Sequence, residues 1–137
     1  MDTESKPTIV LATNSSDPAL ELRSVERYPD GSGFSSEMFV CCHGFSALRR
    51  FYFSERSFRA ALKALRRMVE QLQGEARLDE DYEHDQFIQF TVDSRGHVTV
   101  SGQLVLLDGR TNRLSFTFDT DQTCLASLVR SLNSLNQ

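Results

Sequence analysis

The sequence has no long apolar run: no stretch reaches the ~18 residues that cross a bilayer, and Met1 to Lys6 is polar and acidic where a secretory leader is basic then apolar. No membrane partner is expected, and the protein is read as cytoplasmic. Cysteine is scarce. Three thiols, two of them adjacent at Cys41 and Cys42, make no even disulfide framework, and no CxxC spacing serves zinc or thiol redox chemistry. Histidine is equally sparse, and His43, His84 and His97 show no HxxxH, HExxH or HxH spacing, so no metal and no cofactor is expected. Phosphate cradles are missing as well, because Gly31-Ser32-Gly33 lacks the following helix and the P-loop lysine, and no GxGxxG occurs. Positive charge is not in excess either: fifteen Lys and Arg against nineteen Asp and Glu leave a net charge of −4, which argues against nucleic acid as a partner.

What is present is an ordinary globular mixture, 39% hydrophobic and 25% charged over 137 residues. At roughly 100 to 200 residues per domain this is one domain, 1–137, with 1–7 expected as a flexible tail. A chain of this size buries about two thirds of its unfolded surface, so it folds without disulfides or metals.

Short strands are expected at Thr8 to Thr13 and Leu20 to Tyr28, with a turn at Pro29 to Gly33 and further strands at Glu37 to His43 and Phe45 to Phe53. Ser54 is a candidate N-cap for a helix over 54–73. At 100° per residue Phe58, Leu62, Leu65 and Val69 share one arc, Arg56, Arg59, Lys63, Arg66 and Arg67 lie opposite, and Gly74 stands as the C-cap. Ala76 to Leu78 begins to read as a strand but runs into acids. Gln86 to Asp93, His97 to Asp108 and Leu114 to Phe118 read as a meander, with Gly102 marking a bulge, and a second amphipathic helix follows from about Asp121. The expected class is α+β, order ββββαβββα: one antiparallel sheet of about six to seven strands with two helices packed on it.

Catalysis finds no constellation. Cys41, Cys42 and His43 are contiguous, but neighbouring strand residues point to opposite faces, whereas a nucleophile and its base must lie within hydrogen-bond reach. No catalytic residue is assigned, and the protein is read as not an enzyme. Charge is more informative. Arg49, Arg50, Arg56, Arg59, Lys63, Arg66 and Arg67 gather seven of the fifteen basic residues in one strand end and one helix, and a solvated helix face is the simplest account of them. Residues 79–85 hold five acids, Asp79, Glu80, Asp81, Glu83 and Asp85. These five are the candidate partner-binding residues, suited to a basic protein surface.

The layout then resembles a known family. A strand at Leu20-Glu21-Leu22, an aromatic hairpin end at Phe51-Tyr52-Phe53, the helix from Phe58 to Leu72 and the ending Phe118, Asp121-Gln122 and Leu125 to Leu132 are similar to the WapI-type immunity proteins of bacterial contact-dependent toxin systems, over about residues 19–135. The resemblance implies a small non-catalytic antitoxin that binds and neutralises a cognate toxin domain, often a nuclease. It carries over no active-site residue. A nuclease is basic where it holds phosphates, and an acidic run suits such a surface. A small-ligand or regulatory binding domain is the alternative.

Overall fold

The computed structural model describes residues 6–11, 13, 17–80, 85–107 and 109–135. Its element order is β1 (Ile9–Leu11), β2 (Ala19–Arg27), β3 (Gly33–Cys42), β4 (Phe45–Ser54), α1 (Glu55–Gln71), β5 (Glu75–Asp79), β6 (Phe87–Val92), β7 (His97–Leu107), β8 (Thr111–Asp121) and α2 (Gln122–Ser134). The strands form two four-stranded antiparallel meanders, β1-β2-β3-β4 (sheet A) and β5-β6-β7-β8 (sheet B), joined by α1. The class is α+β with two helices, as expected, but the single sheet of six to seven strands is corrected to two sheets of four. The missed strand is β5. Its residues alternate, Ala76 and Leu78 buried and Glu75, Arg77 and Asp79 turned outward, and five ladder pairs with β6 complete sheet B.

Local chemistry accounts for the boundaries. Ser54 caps α1, its hydroxyl accepting from the Ser57 amide at 3.0 Å. The helix ends earlier than the glycine suggested: Leu72 takes the left-handed conformation and its amide bonds the Met68 carbonyl at 2.9 Å, so Gly74 lies two residues past the cap. β3 starts at Gly33, within the expected turn, because Gly33 pairs with Ser54 and a Cβ there would sit 2.5 Å from the Phe53 carbonyl oxygen. His43 and Gly44, both at positive φ, form the two-residue turn between β3 and β4. Asp121 caps α2 by accepting from the Thr123 and Cys124 amides at 2.8 and 3.2 Å.

Both sheets turn one face into a single apolar core. Phe58, Leu62, Leu65 and Met68 of α1 and Leu125, Leu128 and Leu132 of α2 are buried in it, whereas Val69 is only partly buried. Phe34, Phe53 and Phe58 cluster with Phe34 centroids 4.9 and 4.8 Å from the other two rings, pairs worth ~0.5–1.5 kcal/mol each beyond burial. Gly102 is not at a bulge. It pairs in register with Ile88 and Phe116, and the Phe116 ring occupies the space a side chain would need. The irregularity lies instead in β2, where the register shifts between Arg23 and Glu26 and Ser24 has φ +53°. Of the expected tail, residues 1–5 lie outside the described residues; Lys6 pairs with Glu26 at 3.1 Å and the Pro7 carbonyl accepts from Val25 at 2.9 Å.

Candidate partner-binding surface

The five acidic candidates do not share one environment. Asp79, at the end of β5, pairs with Arg77 at 2.8 Å and is outward. Glu80 is only 4% exposed: one carboxylate oxygen, Oε2, accepts from the Tyr52 amide of β4 at 3.2 Å, and its own amide donates to the Gln86 carbonyl at 3.0 Å. Asp81 and Glu83, with Tyr82 and His84, lie outside the described residues, and with His84 goes any cation site built on it. Asp85 is exposed, and its carbonyl accepts from Gln103 Nε2 at 2.6 Å. All five were expected as partner-binding residues; of these Glu80 turns its side chain onto backbone of the fold itself. The signal was in the spacing, since Glu80 continues the inward phase of Ala76 and Leu78.

Gln86 completes this junction. Its amide nitrogen donates to the Arg50 carbonyl of β4 at 2.9 Å, while its amide oxygen accepts from the Val105 amide of β7 at 2.9 Å. Arg49 Nε donates to the Val105 carbonyl at 3.0 Å. β7 outruns β6 by four residues, because the ladder with β6 ends at Gln103, and the backbone of Val105, beyond that ladder, is met by these two side chains. At this end of β7 Leu104 and Val105 are both buried, and Leu106 is exposed.

The basic cluster is divided as well. Arg49 reaches across to β7, Arg50 lies on the opposite face of β4, and Arg56, Arg59, Lys63, Arg66 and Arg67 line the exposed side of α1. Glu55 holds both Arg27 and Arg59, and Arg66 bonds Asn133, so part of this charge is used to seat the helix. Cys41 and Cys42 alternate sides of β3 as free thiols, and His43 sits in the turn with its amide on the Asp17 carboxylate at 2.9 Å. Among the described residues no group of three His, Cys, Asp or Glu side chains is gathered in metal-binding geometry.

The outward faces of the two sheets differ in chemistry. On sheet B the rows are Asp79, Phe87, Gln103, Ser115; Arg77, Gln89, Ser101, Thr117; and Glu75, Thr91, Thr99, Asp119. Only one of these is a large apolar residue, and the Arg77 guanidinium covers its ring at 3.9 Å. On sheet A the row Val10, Glu21, Phe39, Leu48 crosses all four strands. Val10 is 38% and Leu48 46% exposed, and Arg23 stacks on Phe39 at 4.1 Å while pairing with Glu21 at 2.8 Å. The neighbouring row is Arg23, Glu37, Arg50. Beyond it lies an open polar cleft of about 520 Å³ lined by Lys6, Ser24, Tyr28, Glu37, Arg50 and Tyr52. Within it the Tyr52 hydroxyl accepts from Arg50 at 3.1 Å and raises the guanidinium pKa above its ordinary value.

A family model described as the immunity protein WapI-like family matches residues 10–135. The chain belongs to this immunity protein family. The WapI-like match starts within β1 and extends past α2, so it takes in both meanders and both helices and begins nine residues before the span expected from sequence. No curated protein matches the chain. The residues that carried the resemblance to the WapI-like proteins form structure: Phe118 is in the core, Asp121 is the α2 cap and Leu125 to Leu132 is the buried side of that helix. Among the described residues, no helix is long and apolar enough to cross a membrane.

Proposed function

We propose that this protein is a non-catalytic immunity protein of the cytoplasm that binds and neutralises a cognate toxin domain, and that the toxin is a basic nuclease. The observation that carries this reading is the WapI-like family match over residues 10–135. The charge pattern supports the finer part: the outward acids Asp79 and Asp85 bracket Asp81 and Glu83 in sequence, and a carboxylate run steers a basic surface into contact. Glu80 is left out of this proposal, since it is buried and accepts from the Tyr52 amide.

The test is to look beside this gene for a large toxin gene and to co-express its C-terminal effector domain with this protein. The parent protein should rescue growth and form a complex whose affinity falls as salt rises. A variant carrying Asp79→Asn, Asp81→Asn, Glu83→Gln and Asp85→Asn, with Glu80 kept, should associate more slowly and lose most of the salt dependence. Equal affinity and salt slope for both proteins would remove the acidic run from the interface, and failure of the parent to protect would refute the function.

A further inference from the structure

Among the described residues the two meanders have four edge strands, β1 and β4 in sheet A and β5 and β8 in sheet B. Three are hindered by the fold itself. β1 is three residues long with α2 packed on it, β4 has its Tyr52 amide and Arg50 carbonyl taken by Glu80 and Gln86, and α1 packs against β5. β8 is different. It runs eleven residues in unbroken register with β7 and turns Leu114, Phe116 and Phe118 inward, so it lacks the proline, the bulge or the inward charge that blunts a sheet margin. Alternate residues of an outer antiparallel strand direct their amides and carbonyls away from the sheet. Over residues 113–119 those groups meet no hydrogen-bonding partner among the described residues.

This margin is also shaped. Residues 114–117 line one side of a groove of about 250 Å³, and Val40, Cys42 and Phe45 line the other. Neighbouring strand residues point to opposite faces, so a groove that touches four in succession lies along the strand's margin and not on either face. Phe45, which borders it, is 70% exposed.

The sequence of β8 identifies the occupant. Arg113 and Asp119 stand three residues to either side of Phe116, both outward and exposed. Neither is in an ion pair among the described residues, and Asp119 accepts only from the Thr99 hydroxyl at 3.2 Å. Lay a second β8 antiparallel with Phe116 opposite Phe116, and Leu114 faces Phe118, Ser115 faces Thr117, and each Arg113 faces the other copy's Asp119. Apolar side chains then meet on the inward side and opposite charges meet twice on the outward side. A twofold centred one residue either way sets Arg113 against Thr117 or against the α2 cap Asp121, so the match belongs to this register.

We propose that β8 pairs with β8 of a second copy of this chain, joining the two copies of sheet B into one continuous antiparallel sheet with the groove and Phe45 of each copy at the seam. Such a contact is isologous and closes on itself, and with the other margins hindered it stops at two copies. It goes beyond the toxin-binding reading and does not rest on it.

Sedimentation equilibrium on the purified full chain measures self-association of the parent, Arg113→Asp and Asp119→Arg, with thermal midpoints recorded for each. The parent should be a reversible dimer. Either reversal sets like charges opposite each other at two places on the seam and should weaken dimerisation about tenfold or more. Mixing the two variants should restore association to within threefold of the parent, because positions 113 and 119 are then both acidic in one chain and both basic in the other. The two residues sit towards opposite ends of β8, so if one variant fails to fold the other decides. A parent that stays monomeric across the concentration series overturns the proposal. So does a parent dimer that the folded variants match within threefold, which places its interface elsewhere, and so does a mixture that associates no better than either variant alone. Toxin binding enters none of these outcomes, so failure here leaves the immunity reading standing.

Discussion

Replacing Gln86 with methionine keeps side-chain length and removes both polar atoms of an amide that is 2% exposed and joins the two sheets. The Arg50 carbonyl loses a donor at 2.9 Å and the Val105 amide loses an acceptor at 2.9 Å. A buried backbone group left unpaired costs ~1–3 kcal/mol, and the gain from not desolvating the amide offsets part of the sum, which leaves a loss of about 2–4 kcal/mol. Unfolding entropy near 60 °C is ~2.1 cal/mol/K per residue, so for 137 residues 1 kcal/mol moves the midpoint by about 3.5 °C. Gln86→Met should therefore lower Tm by roughly 7–14 °C, read by circular dichroism, with an unchanged urea m-value. Gln86→Glu adds a sign test. Its carboxylate still accepts from Val105 but faces the Arg50 carbonyl with a second oxygen, so the folded state favours the protonated form, which donates. The folded pKa is then raised, and the deficit shrinks as pH falls through it. A loss below about 0.5 kcal/mol for Gln86→Met would refute the reasoning, since backbone groups unpaired in a dry junction cannot cost so little.

Leu65→Ala removes a side chain that is 1% exposed from the α1 face, and chemical denaturation should show a loss of about 2–5 kcal/mol. Gly102→Ala forces a methyl to 2.4 Å from the Phe87 carbonyl oxygen and 2.5 Å from the Phe116 ring, so it should cost about 1–3 kcal/mol or more, visible as a lowered midpoint. Asp93 accepts from the His97 and Arg95 amides in the β6–β7 turn, and these bonds hold its carboxyl below the ordinary 3.8. The unfolded state then binds the proton more readily, so this contribution is whole above 3.8 and is lost as pH falls through the lower folded value; acid titration of Asp93→Asn should show a shallower fall over that range.

Periodicity made α1 legible because its apolar arc is continuous and Ser54 and Glu55 mark its start. Strand alternation likewise located β2, β4, β6, β7 and β8 to within a few residues. The division into two sheets was not legible, since alternation reports which side chains point inward and not which strand lies beside which. β5 was obscured because the acids after Asp79 read as a loop, although Ala76, Leu78 and Glu80 keep one phase. The inward turn of Val105 depends on Gln86 and Arg49, 19 and 56 residues away in sequence, and no local pattern encodes it. On the outward face of sheet A, the row that Leu48 shares with Phe39, Glu21 and Val10 was set by the strand register and not by any local pattern.

The bonds from Glu80 and Gln86 to β4 also determine what cannot happen there. A strand at the margin of a sheet offers its free amides and carbonyls to any extended segment that passes, including another copy of itself, and this is the route by which sheets grow from chain to chain. The Tyr52 amide and the Arg50 carbonyl are already taken, by a carboxylate and an amide from the same molecule. Two side chains thus stand where a ninth strand would lie. Recognition by strand addition is closed along this stretch of β4, and so is runaway edge-to-edge assembly, while the broad side of the sheet stays open.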